Sequence, residues 1–82
     1  MSTPEELKEW ADNAKMISVD GDPCFVYVNW EEVEDDDNPL ILSLTPAKNG
    51  YEDIDFYEDA KIEIEGSFAV VDGITLTRLI EG

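Results

Sequence analysis

Asp72-Gly73 stands between two apolar runs, residues 68–71 and 74–80. An Asp-Gly pair accepts left-handed backbone at both positions, and that turn matches the twist of two antiparallel strands. The spacing predicts a hairpin with Val71 opposite Ile74 and Ala69 opposite Leu76. Most of the preceding chain reads as strand too. Residues 16–19 are short and apolar-rich, and Asp20-Gly21-Asp22-Pro23 is dense in turn formers. Residues 24–30 are β-branched and aromatic, with Cys24, Val26, Val28 and Trp30 alternating against Phe25, Tyr27 and Asn29. Residues 40–45 form another strand, stopped by Pro46 and followed by Asn49-Gly50. In 60–65, Ala60, Ile62 and Ile64 point inward and Lys61, Glu63 and Glu65 outward, until Gly66 breaks the run.

The first fifteen residues have a different period. Thr3 is placed to cap a helix, Pro4 suits the first helical position, and Glu6 completes a capping box. Leu7, Trp10, Ala11 and Ala14 then recur on one face, with Lys8, Glu9, Asp12 and Asn13 on the other. The expected fold is an α+β domain over residues 1–82. One N-terminal amphipathic helix packs on an antiparallel sheet of five to six short strands, with Leu7 and Trp10 meeting Val26, Val28, Leu42 and Ile62.

Charge narrows what such a domain does. The chain has 21 acids, five bases and no histidine, for a net charge of -16. Solubility of a small domain asks for about 2–8 units. Self-repulsion at that density opposes compaction, so the surplus points to attraction of something basic. Nucleic acid and anionic lipid are repelled, so neither is an expected direct partner. With Cys24 the single cysteine, no intrachain disulfide forms and no cysteine cluster holds a metal. No apolar run is long enough for a membrane span and no signal-peptide pattern is visible, so the expected location is the cytoplasm. Without histidine there is no imidazole base and no Ser-His or Cys-His pair, and the glycines read as turns or ends, so no catalytic residue is expected. Neither Asp20-Gly21-Asp22-Pro23 nor the stretch from Asp35 completes a calcium loop, and no cofactor or metal is expected.

Between positions 31 and 59 lie eleven acids and one base, Lys48. Two runs carry them: Glu31, Glu32, Glu34, Asp35, Asp36 and Asp37, then Glu52, Asp53, Asp55, Glu58 and Asp59. A solvated loop is the plain reading of either run. The second run is interleaved with Tyr51, Ile54, Phe56 and Tyr57, which solubility alone does not need. Ile54 and Phe56 serve as loop anchors if buried; Tyr51 and Tyr57, if exposed, are the aromatic contacts interfaces favour, as is Trp30 beside the first run. On a strand, carboxylates two residues apart, such as Asp53 with Asp55 or Glu63 with Glu65, point to one side about 6.6 Å apart, approximating successive phosphates.

In size, acidity and order of elements the chain resembles small acidic inhibitors of phages and mobile elements: DNA-mimic anti-restriction proteins, anti-CRISPR proteins and inhibitors of the uracil-DNA glycosylase type. The resemblance rests on composition and element order over the whole chain, so it transfers no individual residue. It implies a stoichiometric inhibitor that blocks the basic nucleic-acid groove of a nuclease, a CRISPR effector or a DNA-repair enzyme in the host cytoplasm. The alternatives are an immunity protein for a basic nuclease toxin and a plain acidic structural or adaptor domain. If the acids repel one another as this charge implies, raising monovalent salt from low ionic strength raises the melting temperature. A flat or falling scanning-calorimetry curve shows them to be compensated already.

Overall fold

In the computed structural model, which describes residues 2–31, 35 and 37–79, helix α1 spans Pro4–Asp12 and seven strands follow. These are β1 (Met16–Val19), β2 (Asp22–Val28), β3 (Leu40–Pro46), β4 (Ile54–Tyr57), β5 (Ile62–Glu65), β6 (Phe68–Val71) and β7 (Ile74–Leu79). They form one antiparallel sheet in the order β4-β3-β2-β1-β7-β6-β5. The expectation of an α+β domain with five to six strands is corrected: the molecule is about half strand, a seven-stranded curled sheet, or half-barrel, with one short helix. The unforeseen strand is β4, where Ile54 and Phe56 are inward residues of a strand rather than anchors of a loop.

Connection length explains the curl. β4 and β5 are the two edges, yet only residues 58–61 join them. A flat sheet would separate those edges by six strand spacings, about 29 Å. The link from Tyr57 to Ile62 spans at most about 18 Å when fully extended. The sheet therefore bends until its edges come within that reach. Near Leu40–Leu42 a bulge leaves Ile41 as an extra residue opposite β4, with both Ile41 and Leu42 buried, and bulges increase local twist.

Inside the curl lies the helix. It touches β2 and β3 on one flank and β5 on the other. Its buried Leu7, Trp10 and Ala11 join Ile17, Cys24, Leu42, Leu44, Phe56, Ile62 and Leu76 in one core. The capping box at Thr3 and Glu6 is present in both directions. Trp10 Nε1 donates to the Gly66 carbonyl at 2.9 Å, and the Arg78 guanidinium lies 5.4 Å from the Trp10 ring centre. Helix and β5–β6 turn are thereby clasped together.

Three two-residue turns set the registers. Asp20-Gly21 and Asp72-Gly73 both hold positive φ at each position, the type I′ pattern. Gly66-Ser67 has positive φ only at glycine, as type II′ requires. Val71 pairs with Ile74 and Ala69 with Leu76, the register expected from sequence. The free side of β5 is occupied by Ser2, which donates from its amide to the Ile62 carbonyl and accepts from the Ile64 amide at Oγ. Gly73 sits at φ +82, so Gly73→Val is expected to cost about 1 kcal/mol or more, because a β-branched residue resists that backbone. Urea denaturation measures it; unchanged stability shows the turn to be tolerant of side chains.

Candidate acidic interface

The chain just after the first acidic run and the end of the second, far apart in sequence, meet at one end of the sheet. β2 runs into the first and β3 begins after it, while β4 ends beside it. Asparagines fasten the junction. The Asn29 side chain donates to the Leu40 carbonyl at 2.8 Å and accepts from the Glu31 amide at 3.1 Å. Asn38 Oδ1 accepts from the Asp59 amide at 3.0 Å, and the Glu58 amide donates to the Pro39 carbonyl at 3.0 Å. Glu31, Asp35, Asp37, Glu58 and Asp59 are all exposed there. Glu32, Glu34 and Asp36 lie outside the described residues.

The second run does not stay together. β4 carries it along the edge of the sheet, with Glu52 and Asp53 at the far end and Asp55 between. Asp53 to Tyr57 spans about 13 Å of chain, after which Glu58 and Asp59 turn away. Asp55 accepts a hydrogen bond from Ser43 Oγ at 2.7 Å, which fixes its carboxylate against β3. At the far end Glu52 lines, with Asp20 and Asp22 of the β1–β2 hairpin, an open cleft of about 230 Å³. Its apolar lining includes Val19, Cys24, Pro46 and Ile54, and Tyr51 stands with the acids. The described acids therefore form a pole at the loop end, a short rail of Asp53 and Asp55 at the β4 edge and a second, smaller pole. Asp20 and Asp22 were not among the expected site residues; the Asp-Gly turn signal was the clue that this hairpin would project them.

The aromatic candidates divide. Tyr51 and Trp30 are 61% and 53% exposed, and Tyr57 is 42% exposed at the end of β4. Ile54 is half-buried and Phe56 is core. Trp30 already faces a cation of its own chain, since Lys8 Nζ lies 5.6 Å from its ring centre. β2 ends at Val28, so Trp30 falls just past the strand expected to hold it. Cys24 lies in the core with its thiol directed to the Asp22 carbonyl. Burial, and secondarily the Asp22 charge, push its pKa up, so the thiol stays protonated. Among the described residues no group of three or more potential metal ligands converges, and no described helix is long and apolar enough to cross a membrane.

Compared with protein-family models, curated proteins and solved structures, the chain matches none.

Asn29 holds the entrance of the acidic loop with both ends of its amide. Asn29→Ala is expected to lower stability by about 1–2 kcal/mol while keeping the fold. Faster hydrogen exchange at the Glu31 amide, with β-sheet circular dichroism retained, is the expected signature; unaltered exchange there removes Asn29 from this role.

Proposed function

We propose that this protein is a non-enzymatic, stoichiometric inhibitor that occupies the basic nucleic-acid groove of a protein target. The supporting observation is the joining of the chain just after the first acidic run to the end of the second, at Asn38, Pro39, Glu58 and Asp59. That junction gathers the described acids Asp37, Glu58 and Asp59 at one exposed negative pole, with Asp55 and Asp53 following along the β4 edge. A solvated loop that only prevented aggregation would need no fixed partner run. Carboxylates held on a folded edge offer arginine and lysine side chains the charge-assisted hydrogen bonds that phosphates offer. Long-range attraction then speeds association, while aromatic contacts slow release.

The helix acids fit a supporting role. Glu5 and Glu6 lie in the first turn, where the helix dipole favours negative charge, and Glu6 closes the capping box. They are accounted for by local structure, whereas the pole and rail are not. An immunity protein against a basic nuclease would use the same electrostatics, and the identity of the captured protein separates the two.

The test is capture at low salt from host extract, followed by challenge with duplex DNA. The expected partner is a nucleic-acid-binding protein that elutes as salt rises and is displaced by DNA. Asp35→Lys combined with Asp37→Lys is expected to weaken capture at least tenfold, with the melting temperature unchanged or higher. A partner indifferent to DNA, or undiminished capture by the reversed variant, rejects the reading.

A further inference from the structure

The sheet's outer face, turned away from the helix, is a second surface with chemistry of its own. Strand register lays it out in rows. Leu79, Met16, Phe25 and Thr45 form one row across β7, β1, β2 and β3. Tyr27, Ser43 and Asp55 form the adjacent row across β2, β3 and β4. Glu65, Phe68 and Thr77 begin a third on the other side. Neighbours lie about 4.8 Å apart across strands and about 7 Å along them, so these side chains share one surface.

Phe25 and Tyr27 are 57% and 56% exposed, although β2 is an interior strand with neighbours on both sides. Phe68 and Leu79 are exposed as well. Single exposed apolar residues are ordinary, but a contiguous group marks a surface that something covers.

Charge decides what covers it. Within the seven strands this face carries Asp55, Glu63 and Glu65 and no lysine or arginine. Lys8 lies on α1, Lys15, Lys48 and Lys61 lie outside the strands, and Arg78 turns inward to Trp10. A second copy would bring another -16 and the same carboxylates to the contact. Nucleic acid or an anionic membrane meets the same repulsion. An arginine-bearing protein surface satisfies both features: its planar guanidinium stacks on aromatic rings while its fork of donors takes carboxylate oxygens. Asp55, oriented by Ser43, waits in the row of Tyr27. Lysine is more strongly hydrated and lacks the plane, so it fits less well.

We propose that the outer sheet face centred on Phe25 and Tyr27, with Asp55 at its margin, is the docking surface for an arginine-rich protein segment. This rests on the reading of a basic protein partner and assigns the adhesive contact to the sheet face, leaving long-range attraction to the acidic pole.

The experiment titrates the full, isotopically labelled chain with a four-repeat Arg-Gly-Gly peptide and its lysine counterpart, followed by NMR. The arginine peptide is expected to shift Phe25, Tyr27 and Asp55 and to bind at least about threefold more tightly than the lysine peptide. Phe25→Thr with Tyr27→Thr, which keeps strand-favouring residues, is expected to abolish that preference while weak binding at Glu31, Asp35 and Asp37 persists. Asp55→Asn is expected to weaken the arginine peptide more than the lysine peptide. Equal affinities with shifts confined to the acidic pole overturn the proposal, as does the absence of binding by either peptide. A concentration-dependent dimer in sedimentation that protects Phe25 and Tyr27 also overturns it. Retained arginine preference alongside undiminished capture by the Asp35→Lys, Asp37→Lys variant would reject the inhibitor reading alone; the converse would reject the sheet-face proposal alone.

Discussion

Four residues between β4 and β5 govern the shape of this molecule. Because the link is too short to cross an open sheet of seven strands, the sheet must curl, and the concave side becomes the place to bury the helix. The link is held to both flanks. Glu58 and Asp59 bond to Pro39 and Asn38 on one side, while Lys61 exchanges hydrogen bonds with Asp72 on the other. The seam that closes the structure is thus also where the chain after the first acidic run meets the end of the second. Architecture and electrostatics share the same few residues.

A chain with so few cations spends them unusually. Arg78 lies over Trp10 and donates to the carbonyls of Trp10 and Gly66, while Lys8 lies over Trp30. Neither contact neutralises a carboxylate. Pairing these cations with the acids of the pole would have lowered the repulsion, but it would also have blunted the field. The stability of the domain rests instead on a core of aliphatic and aromatic residues, in which no buried polar or charged residue is found among the described residues.

Local signals carried much of the fold in legible form. The capping box at Thr3 and Glu6, the Asp72-Gly73 hairpin and the alternation through Ile62 and Ile64 each depend on neighbours within a few positions, and each is present in the structure. What escaped was non-local. β4 is four residues long, holds Asp55 and is flanked by Glu52, Asp53, Glu58 and Asp59, a setting strands ordinarily disfavour, and it becomes a strand because Phe56 and Ile54 complete the core against Leu42 and Leu44. The approach of the second acidic run to the chain after the first depends on the Asn38 side chain reaching Asp59, 21 positions away. Alternation in β2 showed two apolar faces, Cys24 with Val26 and Phe25 with Tyr27, but could not show that the helix covers only the first.

The pairing of β1 with β7 joins Met16 to Leu79, nearly the whole length of the chain. The strands on either side of that seam, β1 to β4 and β5 to β7, are two meanders assembled from neighbours in sequence. The β1–β4 meander can zip up first, whereas the β5–β7 meander and the union of the two both need β7. Until β7 pairs, β1 is a bare edge, and the loss of chain entropy on closure falls on a single late event.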